Sequence, residues 1–141
     1  MSANLENVKL EDVTILIVED DPNSYRATIS LLKMAGAKSV HACISVNSAM
    51  ELATTLPKVD LFLVDIYMPG ETGFELLKLI RAHPQLKDSK VVALTASVMF
   101  ADIRRIKQAG FDSFIGKPTR PGRFPDQIRA ILAGEELWEW R

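Results

Sequence analysis

The sequence predicts a doubly wound α/β fold, a parallel sheet of five strands with helices on both faces, and three observations carry that prediction. Five short apolar runs alternate with five stretches whose apolar residues recur at helical spacing. The runs are continuously apolar instead of alternating with polar residues, as expected of strands covered on both sides. Four of them end on residues with chemistry of their own: 13–18 runs into Glu19-Asp20-Asp21, 61–64 into Asp65, 91–94 into Thr95 and 114–116 into Lys117. In a parallel sheet joined by right-handed crossovers all strand C-termini share one edge, so these residues converge although most of the chain separates them.

Residues 1–11 read as a polar lead-in, 12–133 as one domain and 134–141 as an aromatic C-terminal tail. Residues 13–18 form the first strand. Pro22 suits the first turn of a helix that buries Tyr25, Ile29 and Leu32 and is capped by Gly36. Residues 39–44 form the second strand, and Ser45 or Asn47 caps a second helix with Ala49, Leu52, Ala53 and Leu56 on one face. The third strand covers 60–64, and Thr72 caps a helix with Leu76, Leu77 and Ile80 as its buried stripe, stopped by His83-Pro84. Residues 90–94 give the fourth strand, and Met99, Ile103 and Ile106 mark a fourth helix that Gly110 closes. A short fifth strand over 112–115 precedes a last helix built on Phe124, Ile128, Ile131 and Leu132, with Pro125 in its first turn and Gly134 at its end.

At 141 residues the chain is about one domain by length, with the 48% apolar and 25% charged usage of an ordinary globular protein. A net charge of -1 with mixed signs provides no field for a polyanion, which argues against direct nucleic-acid binding. Residues 1–12 hold no apolar core of signal-peptide length, and no run approaches the roughly 18 apolar residues of a membrane span, so a cytoplasmic protein is expected. The single cysteine, Cys43, reads as a buried thiol, and two separated histidines offer no zinc-type spacing. His41 fits strand packing and His83 a helix C-terminus.

Taken alone, Asp65 before Pro69-Gly70 reads as a turn residue. Alongside Glu19, Asp20, Thr95 and Lys117 it belongs to a candidate phosphoryl site. Carboxylates brought together repel unless a cation neutralises them, and Mg²⁺ takes one or two carboxylates, waters and a phosphate oxygen. An Asp carboxylate can attack phosphorus to give an acyl phosphate, while a Lys ammonium and a Thr hydroxyl steady the transferred oxygens.

The segments Val18-Glu19-Asp20-Asp21-Pro22, Val64-Asp65-Ile66-Tyr67-Met68-Pro69-Gly70, Leu94-Thr95-Ala96 and Gly116-Lys117-Pro118, in this order, resemble the receiver domains of two-component response regulators of the stand-alone chemotaxis-receiver type. The resemblance implies a flavodoxin-like receiver fold with strand order 2-1-3-4-5. It makes Asp65 the phosphoacceptor. Asp20, Glu19, Asp65 and the backbone carbonyl of Tyr67 become Mg²⁺ ligands, with Thr95 and Lys117 on the phosphoryl oxygens and a cis peptide between Lys117 and Pro118. Tyr67 and Ser97 hold positions that tune loss of the phosphoryl group, and a bulky Tyr67 would shield it from water. Phe114 has two readings, the family's aromatic switch residue or plain packing on an edge strand, and it lacks the hydroxyl a Tyr would bring. Thr95 is the other switch residue.

The resemblance further implies a histidine kinase or histidine phosphotransfer protein as donor and a downstream protein target, the protein catalysing at most its own phosphorylation and dephosphorylation. The output surface would be the fourth helix, fifth strand and fifth helix, carrying Asp102, Arg104, Arg105, Lys107, Arg120 and Arg123; a solvated face is favoured over a dedicated contact. Trp138 and Trp140 are expected to dock back on the domain, a homodimer through the tail or through the fourth-to-fifth-helix face being the alternative. Three rivals remain: a phosphate-independent receiver-fold interaction module, a phosphatase of the haloacid dehalogenase type, and a fragment of a hybrid sensor kinase. Tyr67 stands where the phosphatase needs a second acid, and Met1 with a distinct tail favours a complete chain.

Overall fold

A computed structural model describes residues 8–96 and 99–138. Seven strands and five α-helices follow in the order β1 (Thr14–Val18), α1 (Pro22–Met34), β2 (Ser39–Cys43), α2 (Val46–Thr55), β3 (Leu61–Asp65), β4 (Tyr67–Met68), β5 (Glu71–Thr72), α3 (Gly73–Ala82), β6 (Lys90–Thr95), α4 (Phe100–Ala109), β7 (Ser113–Gly116) and α5 (Phe124–Leu132). The main sheet has the order β2-β1-β3-β6-β7, every pair parallel. Leaving aside the small hairpin, this is the expected order 2-1-3-4-5. No helix among the described residues is long and apolar enough to cross a membrane.

The two faces of the sheet carry separate cores. Leu16, Phe62, Val64, Val91, Ala93 and Phe114 pack with residues of α2, α3 and α4, whereas Ile15, Ile17, Leu61, Leu63, Val92 and Ile115 pack with residues of α1 and α5. Side chains on successive strand residues point to opposite faces, so unbroken apolar runs are what a sheet buried on both sides requires. Burying each of the larger of these side chains contributes about 1.5–3 kcal/mol.

Caps follow local chemistry. The Asp21 carboxylate accepts from the Asn23 amide at the start of α1. Ser45, not Asn47, caps α2 in a reciprocal box with Ser48, and Thr72 caps α3. Gly110 ends α4 at φ 108°, a left-handed conformation open to glycine.

Three details depart from expectation. Met99, placed on the buried stripe of the fourth helix, is the residue before α4 and is 68% exposed, because the stripe begins one turn later at Ile103 and Ile106. Leu10, assigned to the polar lead-in, sits in a 3-10 turn and is buried with the α1–α5 core. The antiparallel β4–β5 hairpin was not foreseen. It pairs Tyr67 with Thr72 and Met68 with Glu71, and the Glu71 carboxylate accepts from the Val46 amide at the start of α2 at 3.1 Å. An anionic side chain at a helix N-terminus is favourable, so the hairpin is tied to α2.

Candidate phosphoryl site

The C-terminal edge of the sheet brings four of the predicted residues together through backbone geometry. Glu19 directly follows β1, Asp65 ends β3, Thr95 ends β6 and Lys117 directly follows β7. The Lys117 amide donates to the Thr95 carbonyl at 2.8 Å, which fixes the β7 exit against the β6 exit. The Lys117-Pro118 peptide is cis. Behind Asp65, α3 starts on Gly73, where a Cβ would lie 2.9 Å from Val64 Cγ1 and 3.0 Å from the Asp65 carbonyl. Only glycine lets α3 approach that closely.

Glu19, Asp20 and Asp65 each present a carboxylate oxygen, and these oxygens lie within 4.8 Å of one another. Glu19 and Asp65 are buried and Asp20 is half-buried. Lys117 Nζ donates to Glu19 Oε1 at 2.7 Å and stands 3.5 Å from Asp65 Oδ2. The Tyr67 amide donates to Asp65 Oδ1 at 3.2 Å, which sets Tyr67 beside the cluster while the residue as a whole is 50% exposed. The third acid of the 19–21 run, Asp21, is used as the α1 cap.

Electrostatics follow from this crowding. Burial pushes the Asp65 carboxyl up, the neighbouring Glu19 adds to it, and Lys117 and the Tyr67 amide offset only part, so its pKa rises to about 7. Burial also acts to raise Glu19, but hydrogen bonds from Asp65 and Lys117 outweigh it and hold Glu19 below the ordinary range. Lys117 is moved up in spite of its burial, by the Glu19 bond and the two negative charges. Without a cation, one proton held chiefly by Asp65 relieves the repulsion.

Glu19 Oε2 is buried and has no hydrogen-bond partner. A buried, orphaned carboxylate oxygen costs several kcal/mol unless a cation meets it. Together with hard oxygen donors inside 4.8 Å, it fits a divalent ion such as Mg²⁺.

Phe114 is fully buried in the α2–α4 core. Ser97 and Trp140 lie outside the described residues. Trp138 packs back on the domain, as expected, and Leu137 does so on the opposite face. On the face where solvated charges were favoured, Arg105 lies 4.4 Å above the Phe74 ring and Lys107 5.3 Å from the Trp138 ring, so two of those cations cover aromatic surface. Gly73 and Glu71 were missed as elements of the site: a glycine shows its need for a close approach only once the partner backbone is in place.

This arrangement defines a class, and the chain belongs to the response regulator receiver domain family, whose model matches residues 15–129. It is similar to the polar-differentiation response regulator DivK of Brucella anthropi, with 30% identity over 119 residues that cover 84% of this chain and 95% of the relative. The CheY-like response regulator receiver domain of Methylobacillus flagellatus matches at 27% identity and a TM-score of 0.73, over 84% of this chain and 98% of that one. The chemotaxis response regulator CheY4 of Vibrio cholerae shares the fold, with a TM-score of 0.76 at 24% identity over 83% of this chain and 96% of that one.

Proposed function

We propose that Asp65 accepts a phosphoryl group from a histidine kinase or a histidine phosphotransfer protein, and that the modified protein signals by binding a protein target or by passing the group on. The observation that supports this best is the triad of Asp65, Lys117 and Glu19, with an ammonium 3.5 Å from the Asp65 carboxylate and an unpartnered carboxylate oxygen beside it. In the transfer, an Asp65 oxygen bonds to phosphorus as the phosphorus–nitrogen bond of the donor phosphohistidine breaks, and the leaving imidazole takes up a proton. Asp65 must be ionised for this, and the positive charge of Lys117 favours that form. Lys117 and Thr95 hold the equatorial oxygens. Glu19, Asp20, Asp65 and the Tyr67 carbonyl would hold Mg²⁺, which neutralises the carboxylates and phosphoryl oxygens when bound. A groove of about 400 Å³, lined by Asn23, Ser24, Leu94 and Lys117 among others, opens on the far side of Lys117 from the carboxylates. On this reading the protein turns over no separate substrate.

Intact mass after incubation with acetyl phosphate tests the reading. A single phosphoryl gain that requires both Mg²⁺ and Asp65, and is absent in Asp65→Asn, is expected. A gain that survives Asp65→Asn would overturn it, as would no gain from acetyl phosphate or from any supplied kinase.

A further inference from the structure

The β4–β5 hairpin starts just beyond Asp65, and its parts are held in different ways. Its base is fixed in the core: the Ile66 amide donates to the Leu94 carbonyl at 3.3 Å, the Gly73 amide donates to the Ile66 carbonyl at 2.9 Å, and Met68 is buried in the α2–α4 core. Its turn, Pro69-Gly70, is exposed. Between base and turn, adjacent residues of β5 reach away to two helices. Thr72 caps α3, and the Glu71 carboxylate accepts from the Val46 amide of α2 at 3.1 Å. Across the hairpin, Thr72 pairs with Tyr67 and Glu71 with Met68.

The Val46 amide needs such an acceptor. Ser45 and Ser48 satisfy each other's amides in the α2 box, and that exchange leaves the amide of Val46, a buried residue in the first turn, with no acceptor in its own helix. A carboxylate suits the place as a charged acceptor and as an anion at a helix N-terminus. The bond ties two segments together, and the second of them carries Tyr67. We propose that Glu71 is a positioning residue of the phosphoryl site. Anchored on α2, it holds β5, and β5 through its pairing with β4 holds the Tyr67 backbone, whose amide meets Asp65 Oδ1 and whose carbonyl serves Mg²⁺. The part that concerns Mg²⁺ rests on the ligand set proposed above. Glu71 acts through the hairpin and takes no part in the transfer itself.

The test needs no phosphoryl donor, so its outcome does not depend on whether Asp65 is phosphorylated. Two quantities are read by amide NMR on the full chain: the Kd for Mg²⁺ and, in chelator, the rate at which the Tyr67 amide hydrogen exchanges with solvent. Glu71→Ala is expected to weaken Mg²⁺ binding about tenfold, the lower end of what losing an outer-shell partner does, and to speed exchange at Tyr67 severalfold. Glu71→Gln keeps an acceptor oxygen at the same reach without the charge, and is expected to recover most of both. Ser45→Ala breaks the α2 box and spares the hairpin, so it is expected to lower stability to urea while leaving both quantities near the wild type. No change in Glu71→Ala would overturn the proposal. So would an equal loss in Glu71→Gln, which marks a long-range effect of charge, or an equal loss in Ser45→Ala, which marks the stability of α2 alone. If the wild type binds no Mg²⁺, the metal reading fails by itself and the Tyr67 exchange rates decide the role of Glu71. If Glu71→Ala does not fold, Glu71→Asp, whose carboxylate is one methylene short of the Val46 amide, takes its place with the same expected outcomes.

Discussion

The two ends of the parallel sheet both gather carboxylates, and they treat them in opposite ways. At the N-terminal end, Asp112 accepts from the Val91 amide at 2.8 Å and from Arg81 at 2.9 Å, while Arg81 also donates to the carbonyls of Lys87 and Ser89. Asp60 there accepts from the Thr14 amide and pairs with Lys58. At the C-terminal end, Glu19 and Asp65 share the Lys117 ammonium with Asp20 close by, and Glu19 Oε2 has no partner. The same residue types are saturated where they hold strands in register and left short of donors where chemistry takes place.

The largest contrast should come from the ammonium. Lys117→Met is expected to slow phosphoryl gain from acetyl phosphate on the order of 10²-fold, the usual size for losing one charge stabiliser, as followed by intact mass over time. An unchanged rate would remove Lys117 from the chemistry. Next comes the closed end, where Asp112→Ala takes the acceptor from the Val91 amide and the ion pair from Arg81, which keeps its bonds to backbone carbonyls; since the Arg81 and Asp112 side chains are about 30% exposed, a loss of about 1–3 kcal/mol in urea unfolding is expected.

A smaller effect of opposite sign belongs to the open end. Asp65 has a pKa of about 7 in the folded protein against an ordinary 3.8, so the folded form binds more protons than the unfolded chain between those values. The contribution of Asp65 to stability is therefore full below about pH 4 and is lost as pH rises through about 7. In chelator at pH 8, Asp65→Asn is expected to stabilise by about 1–2 kcal/mol and to flatten that pH dependence. Destabilisation instead would mean that Asp65 is held as firmly as Asp112. The smallest effect is expected from Lys58→Ala, no more than about 0.5 kcal/mol by the same unfolding assay, because the Lys58 side chain is 55% exposed and Asp60 keeps its bond from the Thr14 amide.

The sheet was legible because continuous apolar runs such as 61–64 can be buried on both faces only in a parallel sheet with helices above and below. The site was legible because its residues stand at strand exits, where topology puts Glu19 and Lys117 on one edge of the sheet; the long Lys117 side chain spans the two strands between β1 and β7. What stayed hidden depends on distances no spacing encodes. Glu71 and Val46 are 25 residues apart, and their bond exists only once the hairpin has folded over α2. Gly73 looked like any helix-start glycine until Val64 and the Asp65 carbonyl were placed against it. Met99 fell on the expected apolar stripe by periodicity, yet the helix begins after it, and periodicity does not mark a first residue.

The bond between Glu71 and the Val46 amide gives the molecule a remote reporter. The hairpin that carries Glu71 begins at Tyr67, whose amide holds Asp65, so the Asp65 carboxylate and the first turn of α2 are joined through one short loop. The Val46 resonance in an amide NMR spectrum is therefore expected to shift when Asp65 is modified, although Val46 lies outside the carboxylate cluster.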